Sequence, residues 1–160
     1  MNFCPECEET LLELKQKTKS TPKFSLKNQV KICKVVDVYD GDTCRVVFNH
    51  GNTFNKWTIR MNGYDTPEMR PSKSLPNRDE IKKNAVASRD YLKSLIMNEP
   101  EQLVYLHCGD FDKYGRLLGE IYVKNPTIES NDQEENPSVN SLMVKNNYGY
   151  VYHGGAKKKM

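Results

Sequence analysis

Val30-Lys31-Ile32-Cys33-Lys34-Val35-Val36-Asp37-Val38-Tyr39-Asp40-Gly41-Asp42-Thr43-Cys44-Arg45-Val46-Val47-Phe48 is the stretch on which the fold turns. Val30 to Val38 and Cys44 to Phe48 are rich in β-branched residues, and the Tyr39-Asp40-Gly41-Asp42 run between them carries turn chemistry. Together they predict a β-hairpin. The next run, Thr53 to Met61, alternates, with Trp57, Ile59 and Met61 on one face and Lys56, Thr58 and Arg60 on the other. Arg60 therefore stands opposite the apolar face at the end of its strand, where a functional arginine would be placed.

Downstream, Ile81, Ala85, Leu92, Leu95 and Ile96 recur near helical spacing, which predicts a helix over Asp79 to Met97 with Asn77 or Asp79 as its cap. Leu103 to Cys108 and Leu117 to Val123 read as two more strands joined by a turn from Gly109 to Arg116. Residues 125–137 are acidic, bounded by proline and without pattern, so a surface loop is expected there. Ser138 then caps a short helix carrying Val139, Leu142 and Met143 on one side and ending near Gly149. Ahead of the strands, residues 1–28 form a Lys/Glu-rich arm outside the core, with one short helix from Glu8 to Lys17 and a Thr18-to-Pro22 linker. The body spans 29–153 and a basic tail 154–160, whose Lys157-Lys158-Lys159 run is expected to be disordered. Strand-strand-strand, helix, two strands, helix is an α+β order. It suits a small five-stranded OB-type β-barrel with two or three packed helices, an architecture that commonly presents a groove to nucleic acid.

The bulk properties narrow the function classes. A chain of 160 residues suits one domain. No apolar run approaches the roughly 20 residues that span a bilayer, and Met1 to Lys15, with four glutamates, is no secretory signal. An intracellular monomer is the expectation. Setting aside the four acids of the 125–137 stretch (Glu129, Asp132, Glu134, Glu135) leaves 24 basic against 17 of the 21 acidic side chains, and a basic body fits a polyanionic partner. Five cysteines, an odd number, indicate free thiols in a reducing compartment. Cys4-Pro5-Glu6-Cys7 has the spacing of half a zinc knuckle. A closed site takes four ligands and there is no second Cys-x-x-Cys, which leaves a vestigial or intermolecular site as the zinc options.

Three short runs carry chemistry: Asp40-Gly41-Asp42-Thr43, Arg60 through Asp65-Thr66-Pro67-Glu68, and Asp112-Lys113-Tyr114-Gly115-Arg116. Hard divalent cations take oxygen ligands, and Asp42, Asp65 and the Thr66 carbonyl can supply them for calcium, magnesium or manganese. Gly41 lets the backbone turn where it must approach an ion, and Pro67 fixes Glu68 relative to Asp65. Glu68 can take a proton from a water attacking phosphorus. Arg60 and Arg116 can bind the phosphate oxygens on which charge builds. Each run also has an ordinary reading: a common Asp-Gly-Asp turn, a helix cap at Asp-Thr-Pro-Glu, a plain hairpin tip. Their order, and the five-residue gap from Arg60 to Asp65, make the set specific.

From about Val30 to Tyr152 the chain resembles a complete staphylococcal (micrococcal) nuclease domain, the thermonuclease family. The resemblance implies that Asp42, Asp65 and the Thr66 carbonyl bind calcium and that Arg60, Glu68 and Arg116 are catalytic. It further implies that Lys113 and Tyr114 contact a terminal nucleotide phosphate and that Tyr152 lies among base-stacking tyrosines. Ser138-Val139-Asn140 resembles the family's Val-Asn segment. The implied activity is hydrolysis of DNA and RNA at the 5′ P–O bond, leaving 3′-phosphates, with little sequence preference. Degenerate copies of this domain act as non-catalytic nucleic-acid- or peptide-binding modules, which is the alternative function. Those copies lose the carboxylates or arginines that this chain keeps.

Overall fold

A computed structural model describes residues 4–126 and 136–155. In chain order its elements are α1 (Pro5–Lys15), β1 (Val30–Val38), β2 (Thr43–His50), β3 (Thr53–Met61), β4 (Tyr64–Asp65), α2 (Arg78–Ile96), β5 (Leu103–Phe111), β6 (Leu117–Tyr122), α3 (Val139–Lys145) and β7 (Tyr150–Val151). Five strands close a mixed barrel in the order β1-β2-β3-β6-β5, with β5 returning to β1. The β3–β6 contact is parallel and the others are antiparallel. This is the expected OB-type α+β architecture.

Strand alternation builds the core. Cys33 and Val35, Cys44, Val46 and Phe48, Ile59 and Met61, Val104, Leu106 and Cys108, Leu117 and Ile121 all face inward and are buried. Leu92 and Ile96 of α2 and Val139 and Met143 of α3 complete the same cluster. Each fully buried Leu, Ile or Met contributes roughly 1.5–3 kcal/mol of transfer free energy.

Several details differ from the sequence expectation. The β2–β3 hairpin extends to a His50–Thr53 pair closed by Gly51 and Asn52, both at positive φ (59° and 63°), a two-residue type I′ loop. β5 runs on to Phe111 through an irregularity after Cys108, which swings the following hairpin tip away from a plain ladder. α1 starts at Pro5 rather than Glu8, because proline suits the first helical position. The core also reaches further back than the strand pattern: Leu26 is fully buried in it, and Phe24 stacks on Trp57 at 6.4 Å. On α3 the buried face is Val139, Asn140 and Met143, with Leu142 only half-buried, and Ser138 caps the helix by accepting the Ser141 N–H. Residues 127–135 of the expected acidic loop and the Lys157–Lys159 tail lie outside the described residues.

Candidate active site

The loop between β1 and β2 is shaped by its own polar groups. Asp40 Oδ1 accepts the Asp42 N–H at 3.0 Å, and the Asp42 carbonyl accepts the Met61 N–H at 2.8 Å, which ties the loop to the end of β3. Tyr64, buried, donates its hydroxyl to the Gly41 carbonyl at 2.7 Å. Gly41 is required for close approach: a Cβ there would sit 2.7 Å from Ser88 Cβ and 2.8 Å from Thr66 Cγ2. The loop therefore seats Asp42 against the strand end that carries Arg60 and against the β4 turn.

At that junction two buried carboxylates share one guanidinium. Arg60 Nη2 lies 3.1 Å from Asp65 Oδ1 and 3.5 Å from Asp42 Oδ2, while Nη1 donates to the carbonyls of Met61 (2.8 Å) and Tyr64 (3.0 Å). Thr66 joins them, its N–H and hydroxyl donating to Asp42 Oδ2 at 3.1 and 3.0 Å. Thr43 donates to Asp42 Oδ1 at 3.0 Å, and Tyr150 of β7 donates to Asp65 Oδ2 at 3.3 Å. Burial, then the nearby charge of Asp40, raises the Asp42 carboxyl above its ordinary range, against the pull of Arg60. The Arg60 guanidinium thus faces both buried carboxylates at once. Oxygen donors in such a setting match a hard divalent cation. Among the described residues no group of three His, Cys, Asp or Glu side chains is placed to hold an ion, so Asp42 and Asp65 would need backbone oxygen and water to fill a shell.

The opposite wall is the β5–β6 hairpin tip. Asp112 organises it, with Oδ1 accepting the N–H groups of Tyr114 and Arg116 at 2.9 Å each and Oδ2 accepting Arg116 Nε at 2.7 Å. Gly115 supplies the left-handed residue of the turn (φ 79°). Desolvation works against the Asp112 charge, but the hydrogen bonds from Arg116 and Tyr114 outweigh it and hold the carboxyl below its usual range. Because Asp112 engages Nε, the two Nη groups of Arg116 are not spent on it. Tyr114 is 72% exposed, flanked by Lys113 Nζ at 5.1 Å and the Arg116 guanidinium at 5.3 Å from its ring.

All nine residues singled out from the sequence (Asp42, Arg60, Asp65, Thr66, Glu68, Lys113, Tyr114, Arg116 and Tyr152) line one cleft of ≈ 410 Å³. Glu68 sits exposed on its rim. A second hollow of ≈ 510 Å³ continues past Lys113, Tyr114 and Tyr152 towards His153 and Gly154. Residues 66–68 are irregular and α2 begins only at Arg78, so Asp-Thr-Pro-Glu caps no helix here. Three contributors stand outside the nine. Asp40 lines the cleft and shapes its loop, Asp112 sets the hairpin, and Tyr150 turns to Asp65 through the β4–β7 pair. For Asp112 a signal existed, since a carboxylate four residues before Arg116 opens the motif.

Comparison with known proteins places the chain in a family. Residues 58–159 match the family model described as "Staphylococcal nuclease homologue", and the chain belongs to that family. It is 29% identical over 130 residues (78% of this chain) to "Endonuclease YncB" of Bacillus subtilis strain 168, covering 56% of that protein. It is 28% identical over 131 residues (74% of this chain) to "Uncharacterized protein MJ1439" of Methanocaldococcus jannaschii, covering 58% of it. The chain thus spans a little over half the length of these curated relatives. Asp42 precedes the family match, so its place in the site rests on its contacts with Arg60 and Thr66. No helix among the described residues is long and apolar enough to cross a membrane.

Proposed function

We propose that this protein is a metal-dependent nuclease that hydrolyses phosphodiester bonds of DNA and RNA with low sequence specificity, and that calcium is its ion. The observation that carries the reading is the convergence of two buried carboxylates, an exposed glutamate and two arginines on one cleft beside exposed Lys113 and Tyr114. Asp42, Asp65 and the Thr66 carbonyl would hold the ion, which would supply positive charge to the cleft. Glu68, on the open rim, takes the proton of the attacking water. Arg60 is oriented by the Met61 and Tyr64 carbonyls on Nη1, while Nη2 is paired with Asp65 and Asp42; an ion on those carboxylates would take over their charge and leave the guanidinium for the phosphate. Arg116 faces the same cleft with its Nη groups not spent on Asp112. Both therefore meet the phosphate oxygens as charge develops on them, each worth on the order of 3–4 kcal/mol by analogy with oxyanion-hole donors.

Lys113 steers and holds a phosphate. Tyr114 and Tyr152 offer ring faces on which any base can stack, which supports tolerance of sequence. The 3′-phosphate product follows from the resemblance to the family. The test is end-group analysis of cleaved single-stranded DNA with wild-type protein and Arg116→Ala. Products with 3′-phosphate, formed 10²–10³ more slowly by a variant of unchanged circular dichroism, bear the reading out. Equal rates for the two proteins would reject it.

A further inference from the structure

Outside the cleft, one pair of nucleophilic side chains has no part in the chemistry above. Cys4 caps α1 in extended conformation (φ −68°, ψ 161°), Pro5 opens the helix, and Cys7 lies one turn on. Their sulfurs are 3.1 Å apart, and both residues are exposed. The other three thiols differ in every respect. Cys33, Cys44 and Cys108 are buried in the barrel, where desolvation pushes Cys33 up to about 12, Cys108 to about 11 and Cys44 further upward. The Cys4 thiol is instead held below its ordinary range, first by the Cys7 side chain and next by the Cys7 N–H at the helix start.

We propose that Cys4 and Cys7 form a thiol–disulfide exchange site that takes a small-molecule or protein disulfide as its oxidant. The Cys4 thiolate attacks one sulfur of the incoming disulfide RSSR, forming a mixed disulfide and releasing RS⁻, which takes up a proton. Cys7, losing its proton to water, then attacks Cys4 Sγ and displaces the second RS⁻. Two electrons pass from the pair to RSSR, giving an intramolecular Cys4–Cys7 disulfide and two RSH. A structural zinc would need four ligands. The buried thiols cannot reach the surface pair without opening the barrel, and no cluster of three ligating side chains stands among the described residues. The metal reading is thus half a site, whereas the redox reading needs only the two sulfurs in contact.

The test equilibrates the full chain with glutathione and glutathione disulfide at increasing oxidised fraction, then alkylates it in denaturant and maps the peptides by mass. The expected result is loss of both alkylatable thiols from the Cys4–Cys7 peptide as one internal disulfide, with Cys33, Cys44 and Cys108 still fully alkylated. Cys7→Ser, which lacks the resolving sulfur, should instead trap Cys4 as a mixed disulfide with glutathione. Full alkylation of both cysteines at the most oxidising ratio overturns the proposal, as does the absence of a trapped adduct in Cys7→Ser. Stoichiometric zinc that blocks oxidation until a chelator removes it also overturns it, in favour of a metal half-site.

Discussion

Asn140→Ala should cost about 2–4 kcal/mol, because this one side chain closes an edge that no strand covers. β3 pairs with β6 only from Ile59–Leu117 to Met61–Gly119, so among the described residues that side of β6 has no strand partner beyond Gly119. Asn140, buried on α3, fills the gap: its Oδ1 accepts the Ile121 N–H at 3.0 Å, and its Nδ2 donates to the carbonyls of Gly119 (3.0 Å) and Asn62 (2.8 Å). Truncation orphans the Ile121 N–H in the core, about 1–3 kcal/mol. Gly119 keeps the Asn62 N–H at 2.9 Å and Asn62 is itself exposed, so their carbonyls lose less. The lost packing adds the remainder. With a urea slope of about 2 kcal/mol per M, the middle of the usual range, the unfolding midpoint falls by about 1–2 M. Asn140→Asp separates the polar network from mere volume, since it keeps the acceptor for Ile121 and sets a carboxylate oxygen against two carbonyls. Its folded-state pKa must rise above the unfolded value. The folded form then binds more protons, and stability returns as pH falls through the folded pKa. An Ala variant within about 0.3 M of wild type, on the same urea scale, or an Asp variant without that acid recovery, would refute the reasoning.

Three further outcomes follow from the site. Asp42→Asn should stabilise the chelator-treated protein while abolishing its response to divalent ions. The raised Asp42 carboxyl means wild type loses stability as pH climbs from the usual carboxylate range to the folded-state value, so the two melting curves should coincide below that window and separate above it. Gly41→Ala drives a Cβ into Ser88 and Thr66, costing about 1–3 kcal/mol by thermal melt and moving Asp42 out of line, so cleavage falls more than stability does. Binding of single-stranded DNA should weaken linearly on a log–log plot against salt, and Lys113→Ala should reduce that slope by about 1.

The barrel was legible because its information is local. Lys56 to Met61 alternates, and strands β1 and β3 carry the bounds that the pattern predicted. The candidate cleft was legible because three spaced motifs name eight of its residues in order, and closing the barrel brings these and Tyr152 to one cleft. What the sequence hid was long-range. The Tyr150 bond to Asp65 spans 85 positions and depends on a two-residue sheet too short to leave a pattern. Leu26 looks like part of a polar arm, yet it is fully buried in the core cluster of the barrel. Asn140 reads as the polar side of a short helix, yet it is buried because β6 has an uncovered edge. Gly41 reads as a flexible turn residue, and only packing shows that Ser88, 47 positions away, excludes a side chain there.

The central claim is that the carboxylates and arginines of the cleft cleave nucleic acid with a bound hard cation. Its most direct test is cleavage of single-stranded DNA by the purified protein with calcium, magnesium, zinc or chelator, run beside Glu68→Ala. The account predicts cleavage that calcium supports, chelator stops and Glu68→Ala loses while its fold is retained. Tight binding of the DNA without cleavage in any metal, or undiminished cleavage by Glu68→Ala, would contradict it.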